Sequence, residues 1–232
     1  SRGLGDVYKR QILKDAIKDK RFGEVNMADA YIKWWRSQDY YDSGDWRGTW
    51  KLDGGGALMN QSIHTIDLLL YLMGPIKNVR AETRLRGHTA IEVEDTAVAL
   101  CEFEGGALGV IQGSTASWSK TGHSAEIQIT GSRGSVFMAD DYFKVWEFDD
   151  ETEADEIIRK EFMDQSSRGG AGAADPSAID FSWHTRNYED IVAAIVNKGK
   201  PKITGEEARR AVALIAAIYE SAASGGKRVE VS

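Results

Sequence analysis

Four side chains in one short stretch could do chemistry together: Asn60, His64, Asp67 and Tyr71. At spacings of i, i+4, i+7 and i+11 they fall, on an α-helix, within an arc of roughly 60°. An imidazole titrates near neutrality, so His64 is the candidate proton acceptor. Nearly everything else in the stretch is apolar: Leu58, Met59, Ile63, Ile66, Leu68, Leu69, Leu70 and Leu72. That pattern predicts a helix buried almost all round, with the polar stripe in a partly buried cleft. Two other readings of the stripe exist. His64 and Asp67 could satisfy each other or the backbone inside the core. They could instead ligate a metal, but the other three histidines are distant in sequence, so no metal is expected.

The elements that must position the stripe follow from hydrophobic period and turn chemistry. A helix is predicted over Ala57–Met73, closed by Gly74 and Pro75. It is approached by a long irregular stretch holding Tyr40, Tyr41, Trp46, Arg47 and Trp50 and ending in Gly54, Gly55 and Gly56. Consecutive glycines permit close backbone approach to a ligand. Upstream, a helix is expected over Ile12–Lys20 and a strand over Val25–Trp35. Downstream the period becomes two. Strands are expected over Val79–Arg86, Thr96–Phe103, Leu108–Gln112, Ala125–Thr130, Ser135–Ala139 and Phe143–Phe148, with hairpin turns at Gly105-Gly106 and at residues 131–134. Residues 149–180, acidic and then rich in Gly and Ala, read as a mobile loop. Helices over Trp183–Asn197 and Glu206–Ser221 follow, the second opened by a capping box from Thr204 to Glu207, and a short strand over Arg228–Val231 ends the chain. Strands flanked by helices without βαβ alternation give an α+β class: an open, mostly antiparallel sheet with helices packed on one face.

Composition narrows the functions. The chain has 232 residues, 42% of them hydrophobic and 28% charged, with only three prolines, as in an ordinary globular domain. A net charge of −7 offers no field for a phosphate backbone, so neither nucleic acid nor an anionic membrane is an expected partner. No apolar run approaches the ~20 residues of a membrane span, and the single Cys101 fits a reducing compartment, so a cytoplasmic location is expected. The opening SRGLGDVYKRQ has neither a helical nor a strand period and resembles translated adaptor sequence. Residues 1–11 are therefore expected to be a non-native leader, and residues 12–232 the folded domain.

The segment WRGTWKLDGGGALMNQSIHTIDLLLYLMG resembles the C-terminal domain of the glucose-fructose oxidoreductase and inositol dehydrogenase family, Gfo/Idh/MocA. VEDTAVALCEFEGGALGVIQG, ITGSRGSV and the final IVAAIVNKGKPKITGEEARRAVALIAAIYESA extend the likeness over nearly all of residues 12–232. The resemblance implies a glyceraldehyde-3-phosphate dehydrogenase-like C-terminal fold that follows a Rossmann domain. It also implies hydride transfer between a hydroxyl-bearing ring carbon and NAD or NADP. His64 matches the family's catalytic histidine, with Asn60 beside it and Asp67 holding the imidazole or the helix in place. Asn60 stands where inositol dehydrogenases carry an aspartate. Asn60 with Gln61 is more like the nucleotide-sugar 3-dehydrogenase branch, which leaves the choice among sugar, nucleotide sugar and cyclitol open. Lys33, Trp35, Arg36, Tyr41, Trp46, Arg47 and Gln61 are implied to line the sugar site, Arg36 or Arg47 being available for an anionic group, and His184 aligns with a position facing the same cleft.

No GxGxxG follows a strand; the glycines at 169, 170 and 172 follow a loop, and Lys200-Pro201 is no substitute for the family's catalytic lysine. The dinucleotide-binding domain is therefore expected to be missing, and the chain alone to be inactive and to bind no cofactor. Two other functions compete: an NAD-dependent glycosidase of the same family, and a stand-alone binding or oligomerisation module. Apolar residues at both parities, such as Ala97 to Cys101 and Val136 to Met138, further predict a homodimer or tetramer through the open sheet face.

Overall fold

The computed structural model describes residues 2–140, 142–163 and 182–232. Eight strands form one sheet: β1 (Val25–Lys33), β2 (Ile76–Arg84), β3 (Thr96–Phe103), β4 (Leu108–Ser114), β5 (Glu126–Gly131), β6 (Gly134–Ala139), β7 (Tyr142–Phe148) and β8 (Val229–Glu230). Their spatial order is β7-β6-β5-β1-β4-β3-β2-β8. Only β1 and β4 run parallel; every other neighbouring pair is antiparallel. The expected open, mostly antiparallel α+β sheet is what the chain forms.

Alternation decides which face is buried. Ala28, Ala30 and Ile32 on β1, Ala97, Ala99, Cys101 and Phe103 on β3, and Ile127 and Ile129 on β5 point to one side. There they meet Ile66, Leu69, Leu214, Ile215 and Ile218 from helices α3 (Ile63–Met73) and α6 (Gly205–Ala223). Thr204 and Glu207 form the expected capping box at the start of α6. The Cys101 thiol lies in this core, where burial, helped by the charge of Asp29, pushes its pKa up to about 12 and leaves it inert. Among the described residues no helix is long and apolar enough to cross a membrane.

Two expectations are corrected. Helix α1 runs over Arg2–Lys18, so the opening residues are helical despite their weak period. Leu13 and Ala16 carry it into the core, and Lys14 Nζ donates to the carbonyls of Tyr71 and Leu72 at 2.6 and 3.0 Å. A cation there complements the negative C-terminal end of α3. The acidic segment is also not all loop: helix α4 (Glu153–Phe162) opens with a capping box in which Asp155 stands where Glu is usual. The rest of the expected loop, including the glycines at 169, 170 and 172, lies outside the described residues.

Asp155 is fully buried and accepts both nitrogens of Arg21 at 2.7 and 2.9 Å, Trp146 Nε1 at 2.7 Å, and the Thr152 amide and hydroxyl at 2.8 Å each. Burial alone would raise its pKa, but these donors outweigh it and hold the carboxyl well below the ordinary range. A carboxylate depressed in the folded state contributes stability above its unfolded pKa and loses it as pH falls. Thermal melts should therefore show stability dropping below about pH 4, and Asp155→Asn should be less stable at neutrality with a flatter acid limb.

Candidate active site

The glycine triplet leads into a π-helical segment, Ala57–Ser62, continuous with α3. Gly54 has φ +77°, and a Cβ on Gly56 would collide with the carbonyl oxygen of Glu94, so both positions need glycine. Glu94 fixes the segment's start. Its buried carboxylate accepts the amides of Gly56 and Leu58 at 3.0 and 2.8 Å and the Tyr219 hydroxyl at 3.0 Å. Burial raises the pKa of Glu94 against those bonds, and burial beside Glu94 raises that of Tyr219. Beneath, Gly113 on β4 leaves room for Ser62 and Leu58; an added Cβ would stand 2.8 Å from Ser62 Oγ.

The π winding alters the expected stripe. Asn60 no longer stands one α-helical turn before His64, and its amide donates to Asp53 Oδ1 at 2.7 Å. Gln61 Nε2 reaches Asn60 Oδ1 at 2.8 Å and the Tyr40 hydroxyl at 3.0 Å, while Gln61 Oε1 accepts from buried Arg36 at 3.0 Å. The Arg36 guanidinium lies 5.3 Å from the Trp34 ring and 5.5 Å from the Tyr40 ring; that of Arg47 lies 4.2 Å from Tyr40 and 4.4 Å from Trp46. Burial lowers the pKa of Arg36, and the charge of Arg47 works in the same direction. Arg36, Gln61, Asn60 and Arg47 thus assemble around Tyr40 and Asp53, two residues absent from the expected set.

His64, Asp67 and Tyr71 are exposed, which corrects the expectation of a helix buried almost all round. Only Ile66, Leu69, Leu70 and Leu72 are buried on α3, because the sheet and α6 cover one side of it. Partial burial raises the pKa of Asp67, opposed by the charge of His64 one turn earlier. No hydrogen bond joins the two among the described residues.

The other expected residues are placed variously. Trp46 is exposed beside Arg47. Tyr41 is 6% exposed, with its hydroxyl on Thr115 Oγ1 at 2.8 Å and burial pushing its pKa up to about 12. Trp35 bridges to Ala116, and Lys33 sits over Tyr31 at the end of β1, on the face opposite the helices. His184 belongs to helix α5 (Ser182–Val196), but its side chain lies outside the described residues. Among the described residues, the consecutive glycines Gly54-Gly55-Gly56 follow a loop instead of a strand. The described residues therefore do not fit a dinucleotide's pyrophosphate on their own.

Residues 11–137 match the GFO/IDH/MocA C-terminal domain, and the chain belongs to that family. The WlbA dehydrogenase from Bordetella pertussis, solved in complex with NADH and UDP-GlcNAcA, is 32% identical with a TM-score of 0.79. The match covers 96% of this chain and 61% of that one. D-apiose dehydrogenase of Rhizobium rhizogenes is 24% identical over 176 residues, 70% of this chain and 45% of the relative. Myo-inositol 2-dehydrogenase of Thermotoga maritima is 33% identical over 91 residues, 36% of this chain and 25% of the relative. The chain thus spans about half the length of the curated D-apiose dehydrogenase it matches.

Proposed function

We propose that this chain is the sugar-facing half of an NAD(P)-dependent oxidoreductase that acts on a CH–OH group of a sugar, nucleotide sugar or cyclitol. The observation that carries the reading is an exposed imidazole, His64, three residues beyond Gln61 in a cluster of Arg36, Tyr40, Asp53, Asn60 and Gln61 joined by hydrogen bonds. Carboxamide, phenol and guanidinium groups present both donors and acceptors, the pattern a ring hydroxyl needs. A ring nitrogen of His64 accepts the hydroxyl proton as the carbon–oxygen single bond becomes a carbonyl. The nicotinamide of a bound cofactor would take the hydride. We place that cofactor in a dinucleotide-binding domain outside this chain, and the protein in the cytoplasm. The purified chain should then reduce neither NAD nor NADP with any sugar, while the protein carrying a dinucleotide-binding domain should turn over. Turnover by the 232-residue chain alone would sink this reading.

The assembly belongs to the same proposal. Met27, Val98, Leu100 and Leu108 are 46%, 48%, 49% and 51% exposed on the sheet face away from the helices. Met27 pairs with Leu108 across β1 and β4, and Leu100 pairs with Val110 across β3 and β4. An apolar sheet face of this kind is covered in the working protein, and a second copy offers a self-complementary cover burying more than roughly 2,000 Å². Light scattering at micromolar concentration should report a dimer or tetramer for the parent protein, and Leu100→Glu should shift it toward monomer. A monomeric parent would reject the contact.

A further inference from the structure

A second histidine, outside the expected site, stands behind it. His88 is buried, and each of its ring nitrogens faces an acceptor: Nδ1 lies 3.0 Å from Asp95 Oδ2, and Nε2 lies 2.8 Å from the carbonyl oxygen of Arg36. A carbonyl oxygen only accepts, so Nε2 donates to Arg36 while the Nδ1 side of the ring lies against the carboxylate. Asp95 is a fixed anchor for the first bond. Its fully buried carboxylate also accepts the amides of Arg86, Gly87 and His88 at 2.9, 2.7 and 3.0 Å and the Thr96 hydroxyl at 3.0 Å. The imidazole is packed as well, with the Tyr41 ring edge-on at 4.6 Å and the Trp35 ring at 6.0 Å. The residue gripped by Nε2 is the one whose guanidinium donates to Gln61.

We propose that His88 is a positioning residue of the sugar site, holding Arg36 by its carbonyl and so aiming its guanidinium at Gln61. This rests on the reading of the Arg36 to Asn60 cluster as sugar-binding. Arg36 stands between the end of strand β1 at Lys33 and the start of helix α2 (Gln38–Asp42), so its main chain is where the direction of its side chain is decided. The backbone bond from the Arg36 amide to the Thr115 carbonyl, 2.9 Å, holds the peptide before Arg36, and His88 holds the carbonyl of the peptide after it. Tyr41 and Trp35 wall in the imidazole and thereby support the grip, a different task from lining the sugar.

Nitrogen-15 NMR on this chain tests the grip directly. The expected wild-type result is a slowly exchanging Nε2–H signal for His88, coupled across its hydrogen bond to the Arg36 carbonyl; its absence would overturn the proposal. In His88→Gln, which cannot hold both partners, the side-chain signals of Arg36 and Gln61 should shift. Those of Arg21, bound to Asp155 beyond the opposite edge strand, should stay. General loosening would move both sets and would count against positioning, as would unchanged Arg36 and Gln61 signals in a folded variant. Should His88→Gln not fold, the wild-type coupling between the His88 Nε2–H and the Arg36 carbonyl decides. In the parent enzyme His88→Gln should raise the sugar KM roughly tenfold with a smaller change in kcat. An unchanged KM despite shifted Arg36 signals would overturn the sugar-site reading and leave the grip standing.

Discussion

His64→Ala in the parent protein should lower the turnover number by roughly 10²-fold or more, the usual scale for removing a general base, while leaving cofactor affinity nearly intact. The side chain is well placed for removal without collapse. It is exposed on α3, whose docking depends on Ile66, Leu69, Leu70 and Leu72, so the helix should keep its place. The neighbouring cluster makes a useful contrast. Asn60→Ala removes a donor to Asp53 and an acceptor from Gln61, and should act more on KM than on proton transfer. Steady-state kinetics of the two variants settle the division of labour, and near wild-type turnover in His64→Ala would remove the imidazole from the chemistry.

Asp95→Ala should be the most destabilising of these changes, by about 3–5 kcal/mol. Five donors converge on its carboxylate: three amides, one hydroxyl and one imidazole N–H. Burial would raise the pKa of Asp95, yet the hydrogen bonds from Gly87, Arg86, His88 and Thr96 lower it below the ordinary carboxylate range. Alanine leaves all five without their acceptor, the two from His88 in a buried place and the other three in a part-buried one. For a chain of this size the melting temperature should fall by roughly 10 °C or more, measured by circular dichroism. A shift of one or two degrees would mean that water reaches and satisfies the emptied donors.

Much of the fold can be read from the sequence because its signals are local. The alternation of Ala97, Ala99 and Cys101 against Val98 and Leu100 shows a strand with two apolar faces, and Gly105-Gly106 shows a hairpin. Helix α4 escapes such reading because its hydrophobic residues are few and its capping carboxylate is an aspartate. The site is less legible. His64, Asn60, Gln61 and Arg36 can be picked out by type, but what orients them comes from far along the chain. Glu94 reaches Leu58 across 36 residues, and His88 reaches Arg36 across 52. Glu94 and Asp95 are adjacent and point in different directions, one to the glycine triplet and one to the residues behind Arg36. Nothing in a pair of acidic residues before a strand announces that split.

The π-helical segment implies an unusual sensitivity to chain length. A π turn holds more residues than an α turn, and such turns arise where one extra residue is accommodated within a helix. Deleting a single residue between Ala57 and Ser62 would let the segment wind as ordinary α-helix while α3 stayed docked. Asn60 and Gln61 would then turn to a different angle relative to His64. The angle between the proton acceptor and the groups that would hold its substrate is therefore encoded as a count of residues, and a one-codon deletion there would uncouple the two without altering either side chain.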